Sequence, residues 1–220
     1  RAGCPLADTI DVEGLKGLKS AHPGTPVVCY VNSSAEIKAA SDICCTSSNA
    51  VAVVESLNEP EVIFIPDKNL GKYVAAQTNK KIILWPGACP THQRITREQV
   101  LKLKEEYPQA IFVAHPECEP PVLDLADKIG STSAIYAFAK NAVARTIIIG
   151  SEMGMGYRLQ KESPDKQFIF PSKYTVCPNM KLTTLKKVYR SLVDLKTKIT
   201  VAEDIRVRAE RAVRRMVEIG

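Results

Sequence analysis

Three cysteines in this chain are each followed by proline: Cys4-Pro5, Cys89-Pro90 and Cys177-Pro178. Cys89 lies 85 residues beyond Cys4, and Cys177 lies 88 beyond Cys89. Those spacings are foreign to a structural zinc site, whose four ligands usually come in close pairs. Three thiolates brought to one point suit a soft or borderline metal. They suit a [4Fe-4S] cluster in which one iron lacks a protein ligand, a departure from the usual four cysteines. An iron left open in that way can act as a Lewis acid. The plain alternative is three unrelated buried thiols with chance spacing.

The other four cysteines read differently. Cys29, Cys44 and Cys45 lie in apolar stretches and read as packing residues. Cys118 follows His115-Pro116-Glu117 and is open to three readings: packing, a fourth ligand, or a redox partner. An odd total of 7 cysteines, with no secretory signal at the start of the sequence, points to a reducing compartment and a cytoplasmic location rather than a disulfide framework.

The elements that would carry these thiols repeat. His22-Pro23-Gly24-Thr25-Pro26-Val27-Val28-Cys29-Tyr30 matches Tyr107-Pro108-Gln109-Ala110-Ile111-Phe112-Val113-Ala114-His115 at an offset of 85. At the same offset Asn32 falls on Glu117, Thr46-Ser47 on Ser131-Thr132, and Asp67 on Glu152. Each copy is expected to end its second strand in a Cys-Pro loop, at 85–89 and at 170–177. The first Cys-Pro has no copy before it, so the pattern predicts a preceding repeat outside this chain and a pseudo-threefold arrangement.

Short β-branched runs predict strands at Val27–Val31, Val62–Ile65, Ile82–Trp85, Ala110–Ala114, Thr146–Ile149 and Gln167–Phe170. They alternate with helices expected at Ala50–Leu57, Leu70–Thr78, Arg97–Glu106, Val122–Lys128 and Ser133–Ala144. Near-continuous apolar strands alternating with helices imply an α/β fold with parallel sheets covered on both faces. The expected architecture is therefore repeated three-layer α-β-α domains with short parallel sheets. The expected divisions are 1–4 as the end of a preceding repeat, 5–89 and 90–180 as two repeats, and 181–220 as C-terminal helices. In such sheets ligands gather beyond the carboxyl ends of the strands, where the Cys-Pro loops stand.

Polar residues of catalytic type sit at the same ends. Tyr30 and Asn32 close one strand, and His115 and Glu117 close its counterpart. Residues two apart on an extended segment project to one side, so each pair can face one cavity, where His and Glu can pass protons. Ser47, Ser131 and Thr132 precede helices, where hydroxyls and free N–H groups suit phosphate or carboxylate, though they serve equally as ordinary N-caps. His92, three residues after Cys89, adds a further contact.

The net charge of +6 is misleading as a sign of nucleic acid. Residues 181–220 hold 11 Lys+Arg against 5 Asp+Glu, while the first 180 residues balance at 19 and 19. The excess falls on two expected helices, Thr183–Leu195 and Val201–Ile219, with Tyr189 as their one aromatic. Solvated helix faces are expected there, and no nucleic-acid partner. Apolar runs such as Val62–Ile65 are far too short to span a bilayer, so no membrane partner is expected either.

Several strings resemble quinolinate synthase. They are Arg1-Ala2-Gly3-Cys4-Pro5-Leu6-Ala7, Tyr30-Val31-Asn32-Ser33-Ser34, Cys45-Thr46-Ser47-Ser48-Asn49-Ala50 and Pro66-Asp67-Lys68-Asn69-Leu70-Gly71. Gly87-Ala88-Cys89-Pro90-Thr91-His92, His115-Pro116-Glu117, Gly130-Ser131-Thr132-Ser133 and Cys177-Pro178-Asn179-Met180-Lys181 continue the likeness in the same order. The resemblance implies three similar α/β domains around a [4Fe-4S] cluster, with Cys4, Cys89 and Cys177 as its ligands and Cys118 outside the set. It places Tyr30, Asn32, Ser47, His92, His115, Glu117, Ser131, Thr132 and Met180 around the substrate; on chemical grounds Glu117, His115 and Tyr30 are the groups expected to handle protons. The implied reaction condenses iminoaspartate with dihydroxyacetone phosphate to quinolinate, losing phosphate and two waters, for NAD biosynthesis. L-aspartate oxidase or aspartate dehydrogenase is the implied supplier of the imine. Family members run about one repeat longer, and their first domain lends a His and a Tyr to the cavity. An aconitase-type hydro-lyase with an open-site cluster, and a non-enzymatic metal-stabilised binding protein, are the competing expectations.

Overall fold

A computed structural model describes residues 2–219. Arg1 and Gly220, the outer ends of the expected 1–4 and 181–220 segments, lie outside the described residues. The first half runs α1 (Val12–Ala21), β1 (Val27–Tyr30), α2 (Ala35–Ala39), β2 (Ile43–Cys45), α3 (Ala50–Glu55), β3 (Glu61–Ile65), α4 (Lys68–Ala75) and β4 (Lys81–Leu84). The second runs α5 (Arg97–Glu106), β5 (Ile111–Ala114), α6 (Pro120–Leu123), β6 (Lys128–Ile129), α7 (Thr132–Asn141), β7 (Thr146–Gly150), α8 (Met155–Glu162) and β8 (Gln167–Ile169). Three helices follow: α9 (Pro178–Lys181), α10 (Leu185–Asp194) and α11 (Glu203–Ile219).

Each half builds one four-stranded parallel sheet, ordered β2-β1-β3-β4 and β6-β5-β7-β8. The repeat holds pair by pair. Val28 is registered with Ile43 and Phe64, and 85 residues on Val113 is registered with Lys128 and Ile149. A hydrogen bond repeats too: Asp42 accepts from Val27 N at 2.8 Å, and Asp127 accepts from Phe112 N at 2.7 Å. The copies diverge at the edge strand, where Val62 faces Ile82 but Ile147 faces Phe168, one residue later, and again in the longer loop that leads to Cys177.

The apolar strands are apolar because both sheet faces are covered. Val27, Val28 and Cys29 are fully buried, as are Ile147, Ile148 and Ile149. In the second half the sheet divides two cores, one around Phe112, Val122 and Ile148, the other around Ile135, Ile147 and Leu159. The first half is closed by α11, which lies over α2 and β2. Ala212 and Met216 join its core, and Arg215 Nη1 donates to Asp42 O at 2.7 Å.

Some local expectations are corrected. The helix expected over Val122–Lys128 ends at Leu123, and Lys128 opens β6 instead. The Asp127 carboxylate is drawn to the β5 amide of Phe112, which pulls this stretch into the sheet. Helices α1, α2 and α8 and strand β2 were not among the predicted elements. The Cys-Pro loops, expected at the end of the second strand of each copy, follow the fourth strand of each sheet instead, since each copy builds four parallel strands. Apart from the half-buried Arg215, the basic residues of α11 are exposed, and ion pairs run along the helix, Arg206 to Glu203 and Glu210, Arg214 to Glu210, as expected for a solvated face. Among the described residues, no helix is long and apolar enough to cross a membrane.

Candidate functional site

Strands β1 and β5 end in matching turns: Ser33 N donates to Tyr30 O, and Cys118 N donates to His115 O, at 3.1 and 3.0 Å. The backbone is therefore turned beyond these strands, not extended as the two-residue alternation assumed. Both pairs nevertheless reach one cavity of about 440 Å³. Tyr30 and Asn32 line it from the first half, His115 and Glu117 from the second.

The cysteines sort into two groups, and none is in a disulfide. Cys29, Cys44, Cys45 and Cys118 are fully buried. Cys4, Cys89 and Cys177 are half-buried, and all three open onto the same cavity. The Cys118 Sγ–H donates to Gly150 O at 3.3 Å within the second core, as a packing thiol would.

Glu117 is the electrostatic centre. One carboxylate oxygen lies 2.9 Å from His92 Nδ1, with both side chains buried. Burial opposes its charge, but His92 first, then His115 and Tyr30, hold its carboxyl down to about 2. Burial likewise opposes the charge on His92, yet the Cys89 thiol and the Glu117 carboxylate outweigh it and lift the imidazole to about 10. His115 goes the other way, pushed down to about 4 chiefly by burial. Its Nε2 lies 3.3 Å from Ser47 Oγ, and its Nδ1 accepts from Glu117 N at 3.3 Å. Burial, then the Glu117 charge, push the Tyr30 phenol well above its usual value.

One buried contact ties the two halves together under this site: Asn69 Nδ2 donates to the Glu117 carbonyl at 3.1 Å. Among the described residues, one set of three donor atoms lies within 4.8 Å of one another: Cys89 Sγ, a His92 ring nitrogen and a Glu117 oxygen. Cys4 and Cys177 are not in it, so the three thiols are spread more widely than the ligands of a single ion.

The chain matches the family described as "NadA: Quinolinate synthetase A protein" over residues 1–218. Quinolinate synthase 1 of Methanosarcina acetivorans is 55% identical over 216 residues, covering 98% of this chain and 71% of the relative. Quinolinate synthase of Geobacter metallireducens is 54% identical over 218 residues, 99% of this chain and 72% of its own. The chain belongs to the quinolinate synthetase A family.

Of the residues that the family resemblance implies, Tyr30, Asn32, His92, His115, Glu117, Thr132 and Met180 line the cavity together with the three thiols. Ser47 stands behind His115. Ser131 is occupied as the N-cap of α7, where its hydroxyl accepts from Ala134 N, and Thr132 takes the place facing the cavity. Other lining residues in this quinolinate synthetase A chain were not anticipated: Thr91, Tyr136, Ser151, Glu152, Gly154, Met155 and Lys181. Ser151 Oγ lies 3.3 Å from His92 Nε2, and Lys181 pairs with Glu152 at 3.0 Å. Glu152 carried a signal, its repeat match to Asp67, and Lys181 adjoins Met180 as Thr91 adjoins His92; Ser151 and Gly154 flank Glu152, Met155 opens α8, and Tyr136 comes from within α7.

Proposed function

We propose that this chain works as a quinolinate synthase, condensing iminoaspartate with dihydroxyacetone phosphate and releasing phosphate and two waters on the way to NAD. One observation carries the reading. The three cysteines in the repeat frame are the three that are not fully buried, and they share a cavity with the buried His92, His115 and Glu117. Their spread fits a polynuclear cluster better than one ion. Cys4, Cys89 and Cys177 would hold a [4Fe-4S] cluster, which when bound supplies a Lewis-acidic iron corner free of protein ligands.

The chain's own groups divide the remaining work. The Glu117 carboxylate takes protons during tautomerisation and dehydration, and the His92 imidazolium beside it returns them. Neutral His115, braced by Ser47, offers a hydrogen bond without adding charge. The Tyr30 phenol keeps its proton and donates a hydrogen bond to an oxygen of the intermediate. Asn32, Thr132 and the first N–H groups of α7 take phosphate or carboxylate oxygens. The repeats at 5–89 and 90–180 act as the two walls of the site, with 181–220 as a helical extension. A cytoplasmic setting, and an aspartate oxidase or dehydrogenase to supply the unstable imine, follow from the same reading.

The close Cys89–His92–Glu117 set favours a second reading, a single ion with mixed donors. Anaerobic metal analysis separates the two. Four iron and four sulfide per chain with a broad brown absorption support the cluster, whereas one colourless zinc supports the single ion. Quinolinate formed from enzymatically generated imine and the triose phosphate tests the reaction itself; a cluster-loaded protein that makes none refutes it.

A further inference from the structure

Asp67 and Glu152 occupy the same place in the two repeats, two residues beyond the ends of β3 and β7. Both are buried. Asp67 Oδ1 accepts from Asn69 N and Leu70 N at 2.8 Å, while Oδ2 accepts from Cys89 N at 3.2 Å. Glu152 Oε2 accepts from Gly154 N at 2.6 Å, while Oε1 accepts from Cys177 N at 3.2 Å. The next residue completes the clamp in both copies. Lys68 N donates to Gly87 O at 2.7 Å, and Met153 N donates to Thr175 O at 2.9 Å, each carbonyl two residues before its cysteine.

The second loop is longer, and the longer acid reaches correspondingly further, so the same pair of bonds survives a change in both partners. A carboxylate suits this place because both its oxygens accept, one for the following backbone and one for the cysteine. An amide would set a donor against one of those N–H groups. Acidic charge beside thiolates is electrostatically unfavourable, so attraction to the cluster does not explain it; Lys181, 3.0 Å from Glu152 Oε1, offsets that charge in the second copy alone, and the bond to the cysteine N–H is what the two copies share.

We propose that Asp67 and Glu152 are positioning residues that fix the backbones of Cys89 and Cys177 so that their thiolates converge. This rests on the cluster reading above and deepens it. Substitution of groups that orient metal ligands typically weakens binding by roughly 10–100-fold. The test compares D67N and E152Q with D127N, which disturbs the equivalent carboxylate–amide bond to Phe112, away from any thiol of the site. Each chain is reconstituted anaerobically with iron and sulfide. Iron release to a chelator, the electron paramagnetic resonance signal of the reduced cluster, and thermal melting are recorded. Amide exchange at residue 89 or 177 is followed in the cluster-free chains.

D67N and E152Q should release iron at least about tenfold faster, with an altered resonance signal. Exchange should quicken at the matching cysteine alone, and melting should fall no further than in D127N, which keeps wild-type release. Wild-type release in D67N and E152Q overturns the proposal, as does faster release that D127N reproduces. A wild-type chain that takes up no iron overturns the cluster reading and the proposal with it. Uptake by the wild type and both variants alike overturns the proposal only.

Discussion

The imidazole rings of His92 and His115 lie stacked, centroids 4.9 Å apart and planes 25° from parallel. Glu117 joins them, touching His92 through its carboxylate and His115 through its backbone N–H. Two cations that close would repel, and the pair resolves this by splitting: His92 is held protonated, His115 neutral. One ring can then serve as a proton source and the other as a neutral hydrogen-bonding partner, side by side.

Glu117→Gln keeps the shape of the side chain but removes its charge and basicity. Turnover should drop by about 10²-fold or more, with cluster absorption unchanged. Steady-state quinolinate production measures it, and undiminished turnover would remove Glu117 from the proton-handling role.

His115 makes stability depend on pH. Its folded value of about 4 lies below its ordinary 6.5. Between those values the unfolded chain binds the proton and the folded chain does not, so stability falls as pH drops through that window. The contribution is fully present above 6.5. Melting of the cluster-free chain should therefore show wild type losing ground to H115Q as pH falls from 6.5 to 4. A difference that stays constant across that range counts against the neutral imidazole.

Serine in place of Cys4, Cys89 or Cys177 should abolish or sharply reduce brown absorption and iron content, one variant at a time. C118S should keep both, since the Cys118 thiol is spent on Gly150 O within the core. A chelator-treated wild type should lose colour and activity together. Full iron in C4S would break the three-thiol reading.

Gly87 sits where a Cβ would come within 2.5 Å of Pro66 O and 2.3 Å of Thr9 Oγ1. Backbone cannot yield as a side-chain tip can. Gly87→Ala should cost about 1–3 kcal/mol, read from chemical denaturation, and should disturb the Cys89 loop as well. A neutral substitution would mean that the loop shifts freely.

The repeat was legible because strands buried on both faces write nearly the same apolar run twice, at Val27–Tyr30 and Ile111–Ala114. The order of those runs was enough to expect parallel sheets. The edges were harder. Strand β6 has two residues, Lys128 and Ile129, too few to show any period, and its place is set by the distant Asp127–Phe112 bond. Within the cavity, Tyr30, His115 and Glu117 announced themselves at strand ends. Ser151 did not, since its meeting with His92, 59 residues away in the chain, depends on how separate stretches fold. Ser131 illustrates the opposite difficulty: its chemistry suited a ligand, but the start of α7 claims its hydroxyl.

Helix α11 seals a sheet made long before it, since Arg215 reaches the carbonyl of Asp42, 173 residues upstream. At ribosomal speeds of ~5–20 residues per second, that gap amounts to roughly 9–35 s of synthesis. During it, the apolar surface around Ile37 and β2 stays uncovered and open to a holdase chaperone. The second sheet draws both its cores from residues 95–170 and can close as soon as they emerge. The half made later is thus the first able to finish folding.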